Sequence, residues 1–395
     1  MLTPGARHLF NGHAARSLAA LLRAGSAVAL LLAAYPPTVC GGAVAAAGAP
    51  QARIVGYATG WDPAQDKDVG KIDTLIFAFA KLVDGRVALD AAGEKHLLEL
   101  TSLKTVHPAL KVMISVGGWG AGGFSEAAGS DAGRRAFADS AARLIAAHDA
   151  DGLDVDWEYP GHGEAGIRAS PGDRAAFTLL LQALRTRLNE AGGVHGRSGA
   201  NHYTLSIAAA DGPFVSGIDI AAVAPHLDWF NLMTYDFVNS MTPLTGHHTA
   251  LHASKLAPPE ARTADRAVRQ FVAAGVPRAK LLIGAAFYGR EFTDVRASDD
   301  GLYQSYGHYL GEHAWPDLKS HYIDRDGYVR HWDAAAQAPW LWNARTRNFI
   351  SYDDPRSILA KAAYVKAQHL GGIMYWEQSL DPGGELLEAA WRGLR

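Results

Sequence analysis

From Arg53 onward the chain alternates short apolar, β-branched runs with longer stretches of helical periodicity, and this alternation restricts its fold more than any other feature. Parallel strands need a crossover between them, and a helix is the usual one. A repeated strand–helix rhythm therefore predicts a parallel sheet covered by helices. The runs that read as strands are Arg53–Thr59, Thr74–Ala80, Lys111–Gly117, Gly152–Glu158, Tyr203–Ala209, Trp229–Tyr235, Lys280–Phe287 and Gly372–Trp376. Apolar residues at helical spacing mark Asp131–His148, Gly172–Glu190, Pro259–Ala274 and Pro355–His369. The last two open on proline, which a first helical turn tolerates. Eight such units in about 340 residues predict an α/β protein of the (β/α)8 TIM barrel type. A doubly wound open sheet is the alternative, but no glycine-rich fingerprint follows the first strand to support it.

One connection breaks the rhythm. The stretch between Phe287 and Pro355 is too long for an ordinary βα loop. It contains turn-like and strand-like pieces (Asp326–Val329, Arg347–Ile350) together with Trp315, Trp332, Trp340 and Trp342. Residues 290–350 are predicted to form a small α+β insertion between strand 7 and helix 7, on the C-terminal rim of a barrel that spans residues 51–395.

Residues 1–50 read as a signal peptide and leader. Arg7, Arg16 and Arg23 precede an apolar run from Ala27 to Ala34, followed by a small-residue tract in which Ala45-Ala46-Ala47 offers a cleavage site. The expectation is a secreted or periplasmic protein. Lipid anchoring through Cys40 is the alternative, although Pro37-Thr38-Val39 matches a lipobox poorly. Cys40 is the sole cysteine, which excludes an intrachain disulfide. A formal charge of -3 gives no reason to expect a nucleic-acid or anionic-membrane partner, and no obligate protein partner is evident.

The chemistry concentrates in the fourth strand, Asp151-Gly152-Leu153-Asp154-Val155-Asp156-Trp157-Glu158-Tyr159-Pro160. Side chains alternate faces along a strand, so Asp154, Asp156 and Glu158 share one face and Leu153, Val155 and Trp157 the other. The apolar set can pack under the helices, which turns the carboxylates into the barrel. Crowded, buried carboxylates are costly and raise one another's pKa, an arrangement that suits acid catalysis. Glu158 lies at the C-terminal end of the strand, where barrel enzymes keep their active sites. It is the candidate acid, with Asp156 within reach of it and Asp154 deeper. A structural ion network is the alternative. No histidine or second carboxylate cluster is evident, so no metal is expected.

The run DGLDVDWEYP resembles the DGxDxDWExP signature of family 18 glycoside hydrolases, the chitinase family, in its deep-cleft subfamily with an insertion domain. Ser115-Val116-Gly117-Gly118-Trp119 is similar to the family's SxGG motif and Met233-Thr234-Tyr235-Asp236 to its MxYD motif. Tyr288-Gly289-Arg290 resembles its YGR turn, and Met374-Tyr375-Trp376-Glu377 carries its floor tryptophan. The resemblance implies a retaining hydrolase of chitin or N-acetylglucosamine oligosaccharides that needs no cofactor. The substrate's own acetamido oxygen attacks the anomeric carbon and gives an oxazolinium ion. It also implies roles: Glu158 as acid and then base, Asp156 bonding the acetamido N–H, Asp154 sharing a proton with Asp156, and Tyr235 holding the acetamido oxygen. Trp376, Asp236, Arg290, Trp119, Tyr57, Met233, Tyr159 and Ser115 become the substrate-binding candidates, with core packing as the alternative for Ser115, Trp119, Met233 and Tyr159. Gly117 and Gly118 are expected to serve close approach or a tight turn, and His247 and His248 to be exposed. Ala58 departs from the aromatic residue that relatives often carry after the first-strand tyrosine, and Gln378-Ser379-Leu380-Asp381 is not the usual turn after strand 8. Two other functions fit the same signature less well: an endo-β-N-acetylglucosaminidase acting on N-glycans or peptidoglycan, and a non-catalytic lectin, from which the complete acid set argues away.

Overall fold

Alternating buried faces allow the strands to close on themselves. The computed structural model describes residues 51–60 and 62–395; the expected leader and Cys40 lie outside the described residues. The barrel strands begin with β1 (Arg53–Ala58), β2 (Thr74–Val83), β3 (Lys111–Gly117) and β4 (Gly152–Asp156). They continue with β5 (Thr204–Ala209), β6 (Trp229–Leu232) and β7 (Leu281–Ala286). The eighth, Gly372–Trp376, returns beside β1: Val55 stands opposite Met374 on one side and Thr74 of β2 on the other. All eight pair in parallel, which leaves the barrel no open edge. The outward face, including Leu153, Val155 and Trp157, packs with the helices in one large core. The inward face fills the barrel with Val55, Tyr57, Ile76, Met113, Leu282 and Met374.

The principal helices are α1 (Ala91–Ser102), α2 (Asp131–Ala147), α3 (Asp173–Val194), α4 (Ala264–Ala273), α5 (Pro355–Ala367) and α6 (Glu385–Leu394). The expected helix Pro259–Ala274 is corrected at its start. Thr263 caps α4, its hydroxyl accepting from Arg266 N at 3.1 Å, and Pro258 and Pro259 lie in the preceding turn. A side-chain cap satisfies an orphan N–H, which proline in a first turn cannot do. Helices α1 and α6, and a short strand Arg86–Ala88 that folds back on β2, are elements the periodicity did not single out.

After β7 the chain builds a second sheet: β8 (Tyr288–Thr293), β9 (His308–Ala314), β10 (Tyr328–Asp333), β11 (Ala338–Asn343) and β12 (Asn348–Tyr352). Its order is β9-β8-β12-β11-β10, antiparallel throughout. Phe292, Val295, Leu302, Trp340, Trp342 and Phe349 form its own apolar core. Strand Gly372–Trp376, reached through α5, is then β13.

Candidate active site

Strand β4 points its acidic face into the barrel, and the surrounding strands supply donors to match. Asp154 is fully buried. Its Oδ2 accepts from Tyr57 Oη at 2.9 Å and Ser115 Oγ at 2.8 Å. Its Oδ1 accepts from Ser206 Oγ at 2.6 Å and Asn231 Nδ2 at 3.1 Å. Burial raises this carboxyl above the usual carboxylate range, while the four hydrogen bonds pull it back. The hydroxyls of Tyr57 and Ser115 are thus turned to Asp154 from β1 and β3 rather than to the open cleft. Ser206 and Asn231, which the sequence reading missed, do the same from β5 and β6.

Asp156 has the opposite surroundings. Its Oδ1 is buried with no hydrogen-bond partner among the described residues. Burial first, then the charges of Glu158 and Asp154, push its carboxyl well above the usual range. These surroundings favour the neutral form of Asp156 over its carboxylate, and its Oδ1 is an unused acceptor in the wall of the cleft. Glu158, just past the end of β4, is raised to about 7 by burial, with the charge of Asp236 adding to the effect and a hydrogen bond from Tyr159 opposing it. A carboxylic acid with this value is about half protonated at neutral pH, far more than an ordinary carboxyl, and can donate to an oxygen.

The cleft above these groups has a volume of about 570 Å³, and Asp156, Glu158, Tyr159, Trp119, Met233, Tyr235, Asp236, Arg290 and Trp376 all line it. Trp376 forms its aromatic floor, stacked on Phe79 at 5.7 Å and resting on Tyr57 at 5.6 Å. Tyr235 is nearly buried, and its hydroxyl meets only the soft thioether of Met374, at 3.7 Å. Burial raises that phenol well above its usual value, so it remains a donor. Asp236 is gripped by Arg290, whose Nη2 donates to Oδ2 at 2.6 Å, and by Tyr288, whose Oη donates to Oδ1 at 2.7 Å. Burial works to raise Asp236, but His248 and Arg290 overcome it and hold the carboxyl well below the usual range. His247 and His248 are not exposed as expected: they are 2% and 0% exposed. His248 Nδ1 lies 3.6 Å from Asp236 Oδ1, and His247 Nε2 lies 3.3 Å from Asp333 Oδ2. The pair is drawn inside because the insertion covers the loop that carries it, with Ser351 Oγ accepting from His248 N at 2.8 Å.

Gly117 has the role expected of it. Its φ is +126°, and a Cβ there would lie 2.0 Å from the carbonyl oxygen of Asp156. Among the described residues, no three His, Cys, Asp or Glu side chains are grouped to hold a metal ion. Phe214 and Arg262 line the cleft as well. Neither belongs to a strand pattern: Phe214 reaches the site from a short 3-10 helix, Gly212–Gly217, and Arg262 from a loop.

A closed parallel barrel with a tuned carboxylic acid at one strand mouth, above an aromatic floor, is the architecture of a glycosidase. The chain belongs to glycosyl hydrolases family 18, whose sequence model matches residues 53–381. It is 39% identical over 299 residues to chitinase A1 of Niallia circulans, covering 72% of this chain but only 42% of that protein. It is 31% identical to chitotriosidase-1 of Mus musculus, covering 84% of this chain and 73% of that one. Among solved structures it resembles a family 18 N-acetylglucosaminidase from Paenibacillus barengoltzii, at 41% identity and a TM-score of 0.81, over 87% of this chain and 99% of the other.

Proposed function

We propose that the protein hydrolyses β-1,4-linked N-acetylglucosamine polymers and oligomers, with retention of configuration, through participation of the substrate's acetamido group. The observation that carries this is the division of labour on β4. Asp154 is saturated with donors, Asp156 keeps one buried oxygen without a partner, and the pKa of Glu158 is raised to about 7. Glu158 protonates the glycosidic oxygen and, in the second half-reaction, takes a proton from the attacking water. Asp156 accepts the acetamido N–H and stabilises the charge that develops on the ring. Tyr235 donates to the acetamido oxygen and holds it in line for attack, a positioning effect. Trp376 carries the reacting sugar, and Asp236 and Arg290 bond its neighbours. In this scheme the substrate's acetamido oxygen is the nucleophile, so none of the β4 carboxylates has to form a covalent bond to the sugar.

The N-acetylglucosaminidase relative supports a second reading of the same site, in which single sugars are released rather than internal bonds cut. Mass spectrometry of the first products from chitin hexamer separates the two: monomer with pentamer marks release of single sugars from an end, and dimer with tetramer, or trimer, without monomer marks internal cleavage. Glu158→Gln is expected to lower turnover by about a thousandfold or more while still binding the hexamer. Full activity in that variant, or cleavage of a high-mannose glycopeptide with the hexamer left intact, would overturn the proposal.

A further inference from the structure

The cleft contains a cation to which the proposed chemistry gives no task. Arg262 lines it beside Tyr159, Phe214 and Trp119. Its guanidinium is held from one side: Nε donates to Asp211 Oδ1 at 2.9 Å and Oδ2 at 3.0 Å, Nη2 donates to Oδ1, and Nη1 donates to the backbone oxygen of Asp236 at 3.3 Å. The same group stands over the Phe237 ring, 5.0 Å from its centroid. A guanidinium carries five N–H groups. These bonds engage one on each nitrogen, which leaves one N–H on each Nη, on a side chain 24% exposed. Asp211 is itself buried, so the pair is neutral as a whole and fixed in direction. Arg262 therefore presents directed hydrogen-bond donors to the cleft rather than a diffuse charge.

Its place indicates which part of a substrate would meet those donors. Tyr159 follows Glu158 and hydrogen-bonds its carboxyl. It stacks on Phe214 at 4.4 Å and 17°, and meets Trp119 edge-on at 6.2 Å. Arg262 abuts the turn that carries Phe214, since a Cβ on Gly212 would lie 3.1 Å from its Nε. A general acid faces the oxygen that joins the reacting sugar to the departing chain. The aromatic shelf beside the acid is thus the wall for the departing sugars, and Arg262 is the polar group set into it.

We propose that Arg262 determines specificity for the leaving group, donating hydrogen bonds to a hydroxyl or acetamido carbonyl of the departing N-acetylglucosamine. This rests on the hydrolysis of N-acetylglucosamine oligomers proposed above. A role confined to bracing Asp211 and the Asp236 backbone would affect every substrate alike, whereas a contact to the leaving sugar affects only substrates that have one.

The test compares kcat/KM for chitotetraose with kcat/KM for phenyl β-chitobioside, whose leaving group has no hydroxyl or acetamido acceptor. Arg262→Lys keeps the charge opposite Asp211 and loses the fork. It is expected to lose about tenfold more on the tetraose than on the phenyl glycoside, as befits a lost hydrogen bond to a charged donor. Equal losses on both substrates, or no loss on either, would overturn the proposal. If Arg262→Lys shows no cooperative melting transition, Arg262→Gln combined with Asp211→Asn preserves a neutral pair and is read by the same ratio. A wild-type protein that cleaves neither substrate would overturn the proposed hydrolysis and this inference with it; one that cleaves both while the variant shows equal losses would overturn the inference alone.

Discussion

At the scale of single residues, environment rather than identity assigns the work of the three carboxylates on β4. Each has the same functional group, yet one is saturated with donors, one lacks a partner on Oδ1, and one sits at the cleft with an affinity for its proton near neutrality. The last has a measurable consequence. In the proposed mechanism Glu158 must be protonated to act, and its pKa in the free protein is raised to about 7. The profile of kcat/KM against pH, which reports the free enzyme, should therefore fall as pH rises through about 7. The Tyr159 hydroxyl favours the carboxylate form by donating to it. Tyr159→Phe removes that donor, so the pKa of Glu158 rises and the alkaline limb moves to higher pH. A limb that stays in place or moves to lower pH in Tyr159→Phe would show that the hydroxyl does not act on Glu158.

At the scale of elements, the barrel strands and the inward-facing carboxylates of β4 were legible because they are local patterns. Alternation along Gly152–Asp156 fixes which side chains face inward without reference to any other strand. What remained hidden depends on strands distant in sequence. Ser206 and Asn231 are ordinary polar residues until β5 and β6 bring them to Asp154, and Phe214 and Arg262 reach the cleft from a single short 3-10 turn and a loop, with no period to read. The same limit explains the histidines. Adjacent polar residues in a glycine-containing loop suggest exposure, and only the folded insertion shows that they are covered. Helix α1 buries just Leu97 and Leu100, too faint a stripe to stand out. The junction of β3 with β4 gives this level its own prediction. Gly117→Ala would place a methyl 2.0 Å from Asp156 O on a backbone with φ of +126°. The strand end must shift, and Asp156 and Glu158 shift with it. The same methyl would approach the buried Phe124 ring to 3.1 Å, so activity on chitin oligomers is expected to drop by about a hundredfold or more, the effect of misplacing reacting groups by about 1 Å, together with a lower melting temperature. An active Gly117→Ala enzyme would show that the tight approach of β3 to β4 is not what positions the acids.

At the scale of the whole molecule, one buried carboxylate gathers the insertion, the barrel and the next helix at a single point. Asp353 leads from β12 into α5, and both it and Lys361 have side chains with no exposure. Its Oδ2 accepts from Lys361 Nζ at 2.5 Å, from Ala286 N at the end of β7 at 3.0 Å, and from Thr249 Oγ1 at 3.3 Å, while its Oδ1 accepts from Ser357 Oγ at 2.6 Å. One residue thus fastens a barrel strand, the exit of the insertion, the following helix and the loop that carries His248. Removing one partner of a buried ion pair strands the other, so Lys361→Met should cost about 3–5 kcal/mol, read from urea unfolding. Replacing both partners by apolar groups often restores stability where the pair bonds only to itself. Here Asp353→Leu in the Lys361→Met background would also deprive Ala286 N–H of its acceptor. The double variant should therefore recover only part of the loss and remain less stable than wild type by about 1–3 kcal/mol, the cost of a buried donor left without a partner. Ala286 lies two residues before Tyr288 and four before Arg290, the residues that grip Asp236. Loosening at Asp353 should therefore raise KM for chitin oligomers even in folded protein. Full recovery of stability in the double variant would reduce Asp353 and Lys361 to a self-contained pair, and an unaltered KM would detach this anchor from the grip on Asp236.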